Sequence, residues 1–109
     1  MTECTLQNKK CKPCEGGVPP MTAEVADTML EQLDGWIRIG TEISKTYRFG
    51  NYYETMAFVN AAAYVSHRED HHPELLVGYK TCAVTYTTHA VGGLSENDFI
   101  CAAKLDALR

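Results

Sequence analysis

Three of the four histidines in this 109-residue sequence, His67, His71 and His72, fall within six residues of one another, and the fourth is His89. An imidazole titrates at about pH 6.5, so near neutrality it both gives and accepts a proton. A cluster of imidazoles therefore suits general acid–base catalysis. Glu69 and Asp70 beside them favour a protonated imidazole, the form a general acid needs. The alternative is a polar surface turn without chemistry, because four histidines in a chain of this length are only a mild excess. His71-His72-Pro73 falls between an expected helix and an expected strand, an edge where side chains converge on a cleft. His89 ends a later strand in this reading, and it meets the pair only if the last two strands are neighbours.

Other chemistries have weaker support. His67 and His71 stand at i, i+4, the spacing of helical zinc ligands, but Pro73 crowds a helix that reaches His71. Cys11-Lys12-Pro13-Cys14 is half of a four-ligand zinc site, which Cys4 and a histidine complete only through long-range folding. Thioredoxin-like redox chemistry wants its CxxC after a strand at a helix start, and no strand precedes Cys11. Cys82 and Cys101 lie on apolar faces and read as small buried hydrophobes. Gly92-Gly93 matches neither GxGxxG nor a P-loop, and no Gly-x-Ser-x-Gly exists, so nucleotide binding and one hydrolase route lack support.

The elements that must position the histidines follow from periodicity. Thr22 is an N-cap candidate, and Val25, Met29 and Leu33 form one helical stripe that Asp34-Gly35 ends. Trp36, Ile37 and Ile39 make a short strand. Ile43 to Phe49 alternates apolar and polar residues, as a half-buried strand does, with Gly40-Thr41 as the hairpin turn. Asn51 caps a helix reaching about Arg68, with Met56, Val59 and Ala63 on one face and Phe58, Ala62 and Val65 flanking it. Leu75–Thr81 and Cys82–Thr88 read as two more strands, the second with Cys82, Val84 and Tyr86 sharing a face. Ser95-Glu96-Asn97-Asp98 fits a capping box with Asp98 at N3, opening a last amphipathic helix. The order α-β-β-α-β-β-α describes an α+β domain, a four-stranded antiparallel sheet with helices packed on one face. Residues 1–20, rich in Gly and Pro, read as a flexible tail carrying the CxxC, and 21–109 as the domain.

Composition narrows the function classes. Hydrophobic residues make up 45% and charged residues 22%, an ordinary globular balance. The net charge is −4; Lys9, Lys10 and Lys12 against Glu3 and Glu15 give residues 1–20 a charge of +1, which leaves −5 on the remainder. An acidic body argues against nucleic-acid binding, which needs basic side chains to displace counterions. No apolar run reaches the ~18–20 residues of a membrane span, and the N-terminus lacks an apolar signal region. Five cysteines, an odd set, suggest reduced thiols and a cytoplasmic setting.

Asp70-His71-His72-Pro73-Glu74, then Tyr79, Thr88-His89 and Gly93-Leu94-Ser95-Glu96-Asn97-Asp98-Phe99, closely resembles the signature of pterin-4a-carbinolamine dehydratases. The resemblance extends upstream through Trp36, Tyr47-x-Phe49 and Phe58, and covers roughly 21–109. It implies a hydro-lyase that removes water from 4a-hydroxytetrahydropterin to give quinonoid dihydropterin, within tetrahydrobiopterin recycling, with no metal and no cofactor. Position by position, His71 and His89 resemble the acid/base pair and His72 a pterin-orienting partner, so that catalysis falls to His71, His72 and His89. Substrate binding falls to His72, Asp70, Thr88 and Asp98, with Asp70 tuning His71. The resemblance further implies a small-molecule pterin substrate and a homodimer or homotetramer, and it admits an aromatic amino-acid hydroxylase as partner. Neither nucleic-acid nor membrane partners are expected, on the acidic charge and the lack of a long apolar run. One departure is His67, where many relatives carry Glu. The alternative on the same fold is a non-catalytic assembly factor or co-regulator scaffold.

Overall fold

The computed structural model describes residues 6–12 and 18–109. Cys4 and Cys14 lie outside the described residues, and the CxxC expectation with them. Helix α1, Ala23–Leu30, starts where Thr22 accepts the Val25 N–H on its hydroxyl at 3.2 Å. It stops before Asp34-Gly35, because Gln32 and Leu33 turn back onto the carbonyls of Met29 and Leu30. Its inward line is Ala26, Met29, Leu30 and Leu33, whereas Val25 is half-exposed. The expected stripe is thus rotated, since the closest approach to the core is made by a small Ala26.

Strands β1 (Ile37–Ile39) and β2 (Glu42–Arg48) form the expected antiparallel hairpin. Gly40 sits at its turn with φ +62°, a conformation that a side chain would strain. Ile43 and Tyr47 point inward from β2 and are buried, as the alternation predicts. Asn51 caps α2, Tyr52–Glu69, by accepting the Glu54 N–H at 2.8 Å, while Glu54 accepts the Gly50 N–H in return. Such a cap is worth about 1 kcal/mol. The buried line of α2 is Thr55, Phe58, Ala62 and Ser66, and Ala63 faces outward, again displaced from the expected stripe. Two hydroxyls lie on that line without penalty. Ser66 donates to the Ala62 carbonyl at 2.8 Å, and Thr55 donates to the carbonyls of Asn51 and Tyr79.

Strands β3 (Glu74–Val77) and β4 (Thr81–Tyr86) pair antiparallel, separated by a tight turn in which the Gly78 N–H bonds to the Thr81 carbonyl. That turn takes up residues expected at the end of the third strand. The sheet order is β1-β2-β4-β3, so β4 is central and β3 an edge. Cys82, Val84 and Tyr86 are fully buried on its helix-facing side. Helix α3, Glu96–Asp106, opens with the expected Ser95/Asp98 capping box and buries Phe99, Ile100, Cys101, Ala102 and Leu105.

Residues 6–12 lie on the domain. Leu6–Asn8 form one 3-10 turn with Leu6 buried, and the Gln7 carbonyl accepts from Lys104 of α3 at 2.8 Å. Among the described residues, no helix is long and apolar enough to cross a membrane.

Candidate active site

The backbone brings the histidines together from two directions. At the end of α2, Asp70 takes the left-handed conformation with φ 52°, and the His71 N–H bonds back to the Ser66 carbonyl at 3.2 Å. Asp is one of the few residues with a side chain that tolerates this region. The chain therefore leaves the helix in a sharp reversal and hands His71 and His72 to the cleft. From the other side, β4 ends at Tyr86 and His89 begins a 3-10 turn, His89–Val91, rather than ending the strand itself. This turn is clasped by the pair Thr88 and Gly93, with the Thr88 N–H on the Gly93 carbonyl at 2.8 Å. Gly93 is required sterically, because a Cβ there would come within 2.8 Å of Pro20.

Beneath the cleft lies Asp98, wholly buried at the N-terminus of α3. One carboxylate oxygen, Oδ1, is 2.6 Å from His71 Nε2. The other, Oδ2, accepts the Thr88 hydroxyl at 2.7 Å and the Ser95 N–H at 3.0 Å. With Asp98 as a carboxylate, Oδ1 can only accept, and the short bond then carries its proton on His71 Nε2. That bond fixes the tautomer, so Nδ1 is the His71 nitrogen left to exchange protons. A charge-assisted bond of this kind is worth about 1.5–3 kcal/mol. The His71 ring also lies parallel to Tyr86, at 5° and 5.7 Å between centroids, so that both its plane and its hydrogen-bonding direction are set. The Tyr86 hydroxyl is buried near Ser66 and Cys101 without meeting hydrogen-bond geometry to either, and burial pushes the phenol far above its ordinary range.

The cleft has a volume of about 630 Å³. His71, His72 and His89 all line it, as do Asp70 and Thr88. His72 and His89 are exposed, and neither ring is hydrogen-bonded to another described residue. Asp98 does not line the cleft; it reaches the site through His71 and Thr88. Asp70 lines it, but the carboxylate in contact with His71 is that of Asp98. His67 points outward from α2 and is not part of the cleft wall. Tyr79, a member of the sequence signature, lies elsewhere, exposed and stacked at 6.0 Å on Tyr52. Among the described residues, no three His, Cys, Asp or Glu side chains group as metal ligands do.

Sequence reasoning did not anticipate the wall formed by Cys11, Lys12 and Asn97. The Cys11 N–H donates to Glu69 Oε1 at 2.8 Å, and Lys12 and Asn97 exchange two hydrogen bonds, at 3.0 and 2.6 Å. Burial works against the Glu69 carboxylate, but the Cys11 N–H and the ammonium groups of Lys104 and Lys10 outweigh it and hold its carboxyl below the usual range. No local sequence signal predicts these contacts, which join residues 58 and 85 positions apart.

A family model described as pterin 4 alpha carbinolamine dehydratase matches residues 19–108. A protein of Nitrosomonas eutropha named "Putative pterin-4-alpha-carbinolamine dehydratase" is 64% identical over 106 residues, covering 96% of this chain and 94% of that one. A protein of Dechloromonas aromatica bearing the same name is 62% identical over 107 residues, covering 98% and 96%. A solved structure from Brucella melitensis, described as a transcriptional coactivator/pterin dehydratase, superposes with a TM-score of 0.79 at 30% identity, over 82% of this chain and 97% of that one. A pterin dehydratase-like protein identified as a RuBisCO assembly factor in the alpha-carboxysome superposes at 0.56 with 28% identity, over 67% and 84%.

Proposed function

Since the chain belongs to the pterin-4a-carbinolamine dehydratase family, we propose that it eliminates water from 4a-hydroxytetrahydropterin by histidine acid–base catalysis. The observation that carries the proposal is one cleft lined by three imidazoles from two stretches of chain, one of them held by a buried carboxylate. Hydroxide is a poor leaving group. An imidazolium beside the C4a oxygen protonates it as the C–O bond breaks, and the lone pair of ring nitrogen N5 drives the departure. A neutral imidazole then takes the N5 proton, leaving quinonoid dihydropterin and water. His71 and His89 are the proposed donor and acceptor, and each such transfer is typically worth ~10²–10⁴ in rate. His72 is the proposed pterin-orienting group, with Asp70 and Thr88 lining the same cleft. Asp98 acts through His71 as a positioning residue. These steps call on no metal or redox cofactor.

The functional unit in this reading is 21–109, and the three cysteines among the described residues, Cys11, Cys82 and Cys101, are free thiols, consistent with a cytoplasmic setting. Self-association into a homodimer or homotetramer is supported by β3, an edge strand whose Leu76 is 75% exposed. An aromatic amino-acid hydroxylase is the partner that would generate the substrate.

The test is the dehydration rate of chemically generated 4a-hydroxytetrahydropterin. The double variant His71→Ala/His89→Ala should lose at least about 10³-fold in kcat/KM with its circular dichroism spectrum intact. Unchanged turnover in a folded double variant ends the assignment. A scaffold role, favoured by the likeness to the assembly factor, predicts instead that the native chain neither turns over nor binds dihydropterin.

A further inference from the structure

Cys11 and Cys101 are separated by 90 residues in sequence, yet their sulfurs lie 3.3 Å apart. A disulfide needs ~2.05 Å, so closure asks for movement of only about 1.2 Å. The approach is held on both sides. Cys101 is fully buried in α3, packed beside Ile100 and Ala102. Cys11 is anchored through its own N–H to Glu69, through its neighbour Lys12 to Asn97, and through the buried Leu6 earlier in the segment. Its sulfur also approaches the Asn97 carbonyl at 3.7 Å.

The two thiols are unequal. Cys11 is half-buried and lines the 630 Å³ cleft, where a small solute reaches it. Cys101 has no exposed surface. The Cys11 sulfur and burial together hold the Cys101 thiol far above the ordinary thiol range, so it stays protonated and shielded until its neighbour reacts. An accessible attacking thiol beside a buried partner is the arrangement of a reactive and a resolving cysteine.

We propose that Cys11 and Cys101 form a peroxide-oxidisable pair that closes a disulfide between the N-terminal segment and α3 at the wall of the cleft. The Cys11 sulfur attacks one oxygen of a hydroperoxide. The O–O bond breaks, water or an alcohol leaves, and Cys11 becomes a sulfenic acid. Cys101 sulfur then attacks Cys11 sulfur, the S–O bond breaks, and the departing hydroxide takes the Cys101 proton as water. Two thiols are oxidised by two electrons in all, and one peroxide is reduced. The product ties residue 11 to residue 101 and replaces a thiol on the cleft wall with a rigid cross-link. A thiol reductant reverses it.

The experiment uses the full chain, reduced and then treated with hydrogen peroxide. After alkylation under denaturing conditions, unreduced samples are digested with trypsin and with an Asp-specific protease, which separates Cys82 from Cys101 at Asp98. The expected product is peptide 11–26 linked to peptide 98–104, with fragmentation placing the bond on Cys11 and the alkyl group on Cys14, absent after dithiothreitol. Its formation should raise the midpoint of thermal unfolding by at least about 5 °C, because so long a loop is closed. In Cys101→Ala, Cys11 should remain a sulfenic acid trapped by dimedone. In Cys11→Ser, Cys101 should stay unoxidised. A Cys11–Cys14 bridge as the main product, a cross-link between two chains, or oxidation of Cys11 to sulfinic acid in the native chain overturns the proposal.

Discussion

His71 and His89 face the same cleft but are built in opposite ways. The imidazole of His71 is fixed by a buried carboxylate on one nitrogen and a parallel tyrosine ring below it. That carboxylate is in turn fixed by Thr88 and Ser95. His89 sits on a single 3-10 turn, exposed, as His72 of the same cleft is. The cleft therefore has one rigid wall and one adaptable rim. A proton relay needs one partner whose tautomer is predetermined, whereas a partner that must follow a ring whose geometry changes during reaction gains from rotational freedom.

The contrast breaks most visibly at Asp98. Asp98→Asn keeps the size of the side chain but lets His71 take the wrong tautomer, and kcat should fall about 10²-fold while KM changes little. A rate within twofold of the native protein would mean that the buried carboxylate serves the helix cap alone. The exposed rim should respond in the opposite way. His72→Ala should raise KM roughly 10-fold and leave kcat nearly intact, the pattern of lost ground-state binding. Equal losses of kcat at Asp98 and His72 would erase the distinction between wall and rim. The smallest effect belongs to the support behind the wall. The Glu69 carboxyl is depressed in the folded chain, so its contribution is fully present above its unfolded value of about 4.5 and is lost as pH falls through the lower folded value. Glu69→Gln should therefore reduce stability at neutral pH and flatten the acid limb of a urea midpoint-against-pH curve below pH ~4.5. An unchanged acid limb would show that Glu69 does not hold residues 6–12.

What the sequence made legible was local. The alternation of β2 and β4, the Asn51 cap and the Ser95/Asp98 box all describe neighbours a few positions apart, and the structure carries each of them. The helix stripes were legible only to within one residue. Val25 looks like core by hydrophobicity, but Ala26 stands at the closest contact, where small volume outweighs apolar surface, and on α2 the helix phase buries Ala62 rather than the identical Ala63. The site was legible through its residue types and not through its wiring. His71 and Asp98 are 27 positions apart, and neither periodicity nor a cap rule links them. The docking of residues 6–12 was hidden for a different reason. It rests on a few hydrogen bonds and one buried side chain, Leu6, too little to leave a periodic trace.

The left-handed Asp70 at the end of α2 has a consequence for how this chain can vary. His71 is aimed by the angular phase of the helix that delivers it, and each residue of an α-helix turns the chain by about 100°. Deleting or inserting one residue in the final turn would swing the imidazole away from Asp98 by more than a quarter of a circle, with every side chain of the site still present. Substitutions along that turn are a matter of degree; a change of length there severs the site from its anchor at a stroke.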